Sequence, residues 1–195
     1  MRTALLVAAA VVVAACSRNG TPPPAESTDT GSSSDTAASA PATEAAAPRI
    51  HRVNLLPTQG NKATGTLELE MATGGVRVTG SITGLKKNSD HGFHIHETGD
   101  CTAPDASSSG AHFNPTGQPH GDPSGGEHHA GDVPNLRADE QGTARVEMLV
   151  PDVSLGDGGM NDIVGKAFIV HANPDDYKTQ PSGGSGARIA CGVIE

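Results

Sequence analysis

Asp90-His91-Gly92-Phe93-His94-Ile95-His96-Glu97 is the stretch on which the reading of this chain turns. Successive side chains of a β-strand point to opposite faces, so His94 and His96 share one face while Phe93 and Ile95 point the other way, into a core. On a helix the same spacing would splay the two imidazoles roughly 200° apart. Side by side on a strand they form a preorganised chelate for a metal ion. Taken alone, the pair also suits an ordinary half-exposed strand, so further ligands have to be sought elsewhere.

Working outward, the chain past Pro48 alternates apolar and polar residues. Strands are expected at 49–56, 64–72, 76–85, 143–150, 166–172 and 188–194. In the second of these Leu67, Leu69 and Met71 share a face opposite Thr66, Glu68 and Glu70. Gly74-Gly75 marks a hairpin, and Gly80 a bulge or a close backbone approach. No helical period of useful length appears. With 25 glycines, 14 prolines and no tryptophan, the pattern predicts an all-β antiparallel sandwich or barrel.

Between Glu97 and Gly142 the alternation stops. A loop of that length in a compact domain is functional or disordered. This one carries Cys101, His112, His120, His128, His129 and Asp132 among many Gly and Pro residues. A disordered loop has no reason to gather four histidines, whereas a loop folded around a metal does. A second irregular stretch, 173–187, is polar and lies between His171 and Arg188.

The N-terminus is of another kind. An apolar run from Ala4 to Ala15 is too short to span a bilayer and reads as the core of a secretory signal. It ends Val13-Ala14-Ala15-Cys16, which resembles the lipobox of bacterial lipoproteins, so residues 1–16 are expected to be a signal peptide with Cys16 as the lipidated residue. A plain signal cut near Ala15 is the alternative. Residues 17–48 contain no aromatic residue and no Ile, Leu or Val. They cannot offset their own ordering entropy and are expected to form a disordered tether with a reach of about 30 Å. The domain proper is then 49–195.

Removing residues 1–16 takes the formal charge from −9 to −10. So acidic a chain argues against nucleic acid as a partner. Export implies an oxidising compartment. If Cys16 carries lipid, Cys101 and Cys191 are the one pair left for a bridge, with two free thiols or thiolate ligands as the alternative.

His94, His96, His112, His120, His129 and His171 with Asp132 are more ligands than one ion can use. Zinc takes four in a tetrahedron and copper(II) suits square-planar nitrogen sets, so two adjacent metals sharing one ligand fit the count. At this point the chain resembles the copper/zinc superoxide dismutases in their bacterial periplasmic form, from about Arg49 to Glu195. The likeness rests on Gly92-Phe93-His94-Ile95-His96-Glu97-Thr98-Gly99-Asp100-Cys101, on Gly110-Ala111-His112-Phe113-Asn114-Pro115, and on Gly186-Ala187-Arg188-Ile189-Ala190-Cys191-Gly192-Val193-Ile194. The family is itself a known instance of the Greek-key, immunoglobulin-like sandwich.

The resemblance implies one copper per subunit held by His94, His96, His112 and His171, and one zinc held by His112, His120, His129 and Asp132. It implies a Cys101–Cys191 disulfide and an Asp175 that hydrogen-bonds one histidine of each metal. Arg188 would guide the anion, with Lys178 a weaker steering candidate, while His51, His91 and His128 stay outside the scheme. The implied reaction is dismutation of superoxide to O₂ and H₂O₂ by Cu(II)/Cu(I) cycling, with His112 bridging the metals and delivering a proton. Antioxidant defence in the cell envelope follows, in the periplasm, the protein lipid-anchored to a membrane. Ser17 after the cysteine favours the outer membrane over the inner. Association as a homodimer stays open. The alternative is a non-catalytic copper/zinc-binding lipoprotein, expected to lack a copper ligand or the arginine; His94, His96, His112, His171 and Arg188 are all present.

Overall fold

The computed structural model describes residues 49–195; the signal peptide expected at 1–16, its Cys16 and the tether expected at 17–48 lie outside the described residues. Strands β1 (His51–Pro57), β2 (Thr64–Ala72), β3 (Gly75–Thr83), β4 (Asp90–His91), β5 (Phe93–His96), β6 (Leu136–Arg137), β7 (Ala144–Pro151), β8 (Ala167–His171) and β9 (Arg188–Val193) follow in chain order. Seven of them pair in the order β5-β8-β9-β1-β2-β3-β7, and every pairing is antiparallel.

β1 joins the two halves of this curled sheet. Its first five residues, His51 to Leu55, pair with β2, and Leu56 and Pro57 then switch to β9. The connections from β3 to β5 and from β7 to β8 cross from one half to the other, as Greek-key topology requires. All-β architecture is thus what the alternation predicts, and the expected strand ends fall within two residues of the observed ones.

The core lies between the halves. Val53, Leu55, Leu67, Leu69, Val76, Val78, Ile82, Val146 and Val150 from one side meet Phe93, Ile95, Phe168 and Val170 from the other. Phe93 and Phe168 stack with ring centroids 4.8 Å apart, a geometry that adds to simple area burial. Met71 shares the inward face of β2 but is 53% exposed, because the strand outruns the core there. Gly80 is a close approach and not a bulge: the registers of β2 and β7 on β3 run through it unbroken. A Cβ at that glycine would collide with the Thr66 carbonyl oxygen.

β8 has a second buried face. Ala167 and Ile169 pack with Ala106 and Cys191 under the loop that Cys101 ties down; Cys101 and Cys191 are disulfide-bonded across a sequence separation of 90. β4 and β6 form a separate two-stranded ladder. Two-residue strands are shorter than any period the sequence could display, and neither was anticipated.

Candidate metal centre

β5 is an edge strand, and an edge exposes unpaired backbone groups. Here the long loop covers it. The amide of Phe113 donates to the Ile95 carbonyl, the amide of Ile95 to the Gly131 carbonyl, and the amide of Glu97 to the Ala111 carbonyl. This backbone pairing sets His112 opposite His96 and Asp132 opposite His94. The loop is therefore held as an irregular extra strand, and its register brings His112 and Asp132 beside His96 and His94.

On the other side of β5, β8 ends in His171. A bulge interrupts the β8–β9 ladder: Val170 pairs with Ala190, but His171 pairs with Arg188, leaving Ile189 unmatched. Bulges re-aim side chains. This one brings His171 and Arg188 to the same cleft, whose wall also includes His96, Glu97, Gly110, His112, Pro181 and Ser182.

Two buried donor groups result: His94, His96, His112 and His171, and His112, His120, His129 and Asp132, each with its ligand atoms within 4.8 Å of one another. In the second, Asp132 Oδ1 lies 2.7 Å from His112 Nδ1, 3.0 Å from His120 Nδ1 and 3.3 Å from His129 Nδ1. His112 belongs to both groups. Its Nδ1 turns to the second and its Nε2, buried and without a hydrogen-bond partner, is left for the first.

The orphaned atoms decide the chemistry. His94 Nδ1, His96 Nε2, His112 Nε2 and His171 Nε2 are all buried and unpartnered, a state that costs free energy in a core and is relieved by a cation. The opposite nitrogens of three of these rings are fixed. His94 Nε2 donates to Asp175 Oδ2 at 2.7 Å, His96 Nδ1 to the Gly110 carbonyl at 2.9 Å and His171 Nδ1 to the Gly186 carbonyl at 3.1 Å. Such bonds select the tautomer that leaves the other nitrogen free to ligate. Four nitrogens suit copper, and three nitrogens with one carboxylate suit zinc. The residues fit both ions.

Asp175 also accepts from His120 Nε2 at 3.0 Å, so one carboxylate spans both groups. Among the histidines that sequence reasoning set aside, His128 stays out, bonded to the His129 carbonyl. His51 lies near the C-terminus, where its Nδ1 donates to the Glu195 carbonyl. His91 is buried; its Nδ1 donates to the His171 carbonyl at 2.8 Å and props the end of β8. Lys178 is exposed and off the cleft wall. Arg188 donates to the Ala106 carbonyl, Ser109 Oγ and the Gly110 carbonyl, at 2.7, 2.9 and 2.7 Å. Among the described residues no carboxylate lies within ion-pair distance of it. Asn135, Tyr177 and Gln180, which buttress Asp175 and His120, carried no signal in the sequence.

Burial is the main cause that pushes His96 down to about 2, His171 to about 3 and His112 to about 4. His120 is buried too, but hydrogen bonds to Asp132 and Asp175 outweigh this and lift it to about 9. Asp132 and Asp175 sit well below the usual carboxylate range, their histidine hydrogen bonds overcoming burial.

The sign of the pH dependence follows. Below an unfolded value near 6.5 the unfolded chain binds protons at His96, His112 and His171 that the folded chain refuses, so acid destabilises the fold. His120 works oppositely: its contribution is complete below 6.5 and is lost as pH rises through about 9. The metal-free chain is accordingly expected to show a falling thermal midpoint from pH 6.5 to pH 4, read by calorimetry. A flat profile over that interval would contradict the assignment.

Comparison with known proteins gives the following. A family model described as copper/zinc superoxide dismutase (SODC) matches residues 63–194. A protein of Aquifex aeolicus named Superoxide dismutase (Cu-Zn) 2 is 43% identical over 145 residues, which are 72% of this chain and 83% of the relative. Superoxide dismutase-like protein YojM of Bacillus subtilis is 43% identical over 148 residues, 74% of this chain and 75% of its own. The crystal structure of a SOD-like protein from Bacillus subtilis matches with a TM-score of 0.68 at 42% identity, covering 76% of this chain and 100% of that one.

Proposed function

Since the chain belongs to the copper/zinc superoxide dismutase family, we propose that it converts two superoxide anions and two protons into O₂ and H₂O₂. The observation that carries this reading is the sharing of His112 by two buried donor groups, one of which opens on a cleft lined by Arg188. Copper at His94, His96, His112 and His171 would supply one-electron exchange in both directions, and zinc at His112, His120, His129 and Asp132 a fixed positive charge without redox chemistry.

The chain's own residues do the rest. Strand β5 and the end of β8 hold His94, His96 and His171 on paired strand backbone. His112 stands on loop backbone, its Nε2 facing the cleft, and is the ring nitrogen placed to hold a proton and pass it to a reduced oxygen species. Arg188 keeps its side chain fixed by three hydrogen bonds and presents an unpaired positive charge to an entering anion. That local field opposes the acidic charge of the whole molecule.

Charge reversal at Arg188 tests the steering role. Arg188→Glu is expected to lower the second-order rate at least roughly tenfold and to remove or invert its decline with added salt. Stopped-flow superoxide decay across ionic strengths reads both.

The Bacillus subtilis relative, named as superoxide dismutase-like, is the reason to keep metal binding without dismutation as the second reading. Superoxide removal by the copper- and zinc-loaded chain, beside His96→Ala, separates the two. Loss of activity in His96→Ala supports dismutation at the copper group. Absence of activity in the unaltered, fully loaded chain sinks it.

Envelope placement is part of the same proposal and is supported by the run that ends at Cys16. Anchored acyl chains hold a protein on a membrane where a single chain does not. Cys16→Ser is expected to move the protein from the membrane fraction to the soluble one; membrane retention of that variant would refute lipid anchoring.

A further inference from the structure

A side-chain amide offers an acceptor and a donor side by side, as a peptide edge does, so it can pair with both backbone groups of one residue. Two residues of this centre do so. Asn135 Oδ1 accepts the Asp175 amide at 2.8 Å and its Nδ2 donates to the Asp175 carbonyl at 2.8 Å. Gln180 Oε1 accepts the His120 amide at 3.0 Å and its Nε2 donates to the His120 carbonyl at 2.8 Å. The pairing is an exchange: each of the two irregular segments grips the backbone of a functional residue in the other.

Between the two grips stands the Asp175–His120 hydrogen bond. Gly183 packs against it so closely that a Cβ there would overlap the Asp175 carboxylate, and its φ of +64° bars a side chain on backbone grounds as well. Directly after Gln180 come Pro181 and Ser182, on the wall of the cleft with His171 and Arg188.

We propose that Gln180 is a positioning residue, which fixes His120 for zinc and, through the same two hydrogen bonds, sets the rim of the cleft at Pro181 and Ser182. The proposal rests on the reading of His120 as a zinc ligand. The His120 side chain is buried, but Gln180 is exposed and its two bonds are half-buried. Without Gln180, water takes its place at the His120 amide and carbonyl but does not hold them in one orientation, so Nδ1 loses its fixed aim at His112, His129 and Asp132. Because the clamp is neutral, it holds at every pH at which the fold survives.

Two substitutions in the full chain distinguish positioning from packing. Gln180→Ala deletes both bonds. Gln180→Glu keeps the size and the acceptor for the amide, but sets a carboxylate oxygen against the His120 carbonyl. Zinc affinity, measured by chelator competition on the metal-free chain, is expected to weaken about tenfold in both variants, as for the loss of a partner that orients a ligand. Co²⁺ bound in place of zinc should show altered visible bands in both, a signature that loose packing alone would not produce. Copper should pass to a bulky chelator several-fold faster once the rim is released.

A Gln180→Glu chain with the affinity and Co²⁺ spectrum of the unaltered protein would overturn the proposal, even if Gln180→Ala were too unstable to purify. Unchanged copper release in both variants would overturn the rim assignment. Failure of the unaltered chain to bind zinc at all would instead remove the zinc reading beneath it.

Discussion

His112→Ala is expected to cut superoxide removal by more than about a hundredfold and to weaken zinc binding in the same variant, since the loss of outer partners alone costs 10–100-fold. The reason is its double membership. His94, His96 and His171 each serve one donor group, and His120, His129 and Asp132 the other, but His112 serves both. His96→Ala, whose outer partner is only the Gly110 carbonyl, should lower activity while leaving the zinc group near its full affinity. Metal titration followed by activity assay reads both variants. A His112→Ala chain that keeps normal zinc affinity would show that the two groups do not share this ring.

The second large effect concerns stability and reaches the cleft through one loop. Replacing both cysteines, Cys101→Ser with Cys191→Ser, opens a loop with a sequence separation of 90. By chain entropy such a loop is worth about 4–5 kcal/mol, and denaturant unfolding of the metal-free chain should show a loss of that order. The same loop supplies the Ala106, Ser109 and Gly110 acceptors that hold Arg188, and the Gly110 carbonyl also fixes His96 Nδ1. The double variant should therefore lose part of its salt-dependent steering even where it remains folded. A change in stability below about 1 kcal/mol would mean that the unfolded state does not profit from release.

How far the sequence speaks depends on what leaves a period. Apolar alternation in β1, β2, β3 and β7 locates strands because each buries one face, β8 shows as a short apolar run buried on both, and Phe93 and Ile95 fix which way His94 and His96 point. The histidines of the long loop stand out because a loop otherwise has no use for them. Their convergence is another matter: it depends on the loop pairing with the edge of β5, and Ala111 and Gly131 carry no trace of that pairing in their identity. Asn135 and Gln180 read as ordinary polar loop residues, since an amide that binds backbone has no preferred spacing from its partner. His91 reads as structural or exposed, and it is structural: a buried prop for His171. Arg188 is legible through the motif from Gly186 to Ile194 that resembles the family, not through any period. It is the bulge at Ile189 that aims it.

Whether one ring serves both metals can be seen by diffraction from the loaded protein at the copper and zinc absorption edges. Two separate anomalous peaks are expected from the copper(II) protein, copper beside His94 Nδ1, His96 Nε2, His112 Nε2 and His171 Nε2, and zinc beside Asp132 and the Nδ1 atoms of His112, His120 and His129. A single peak, or in the copper(II) protein two peaks with His112 bound to only one of them, would contradict a shared ring.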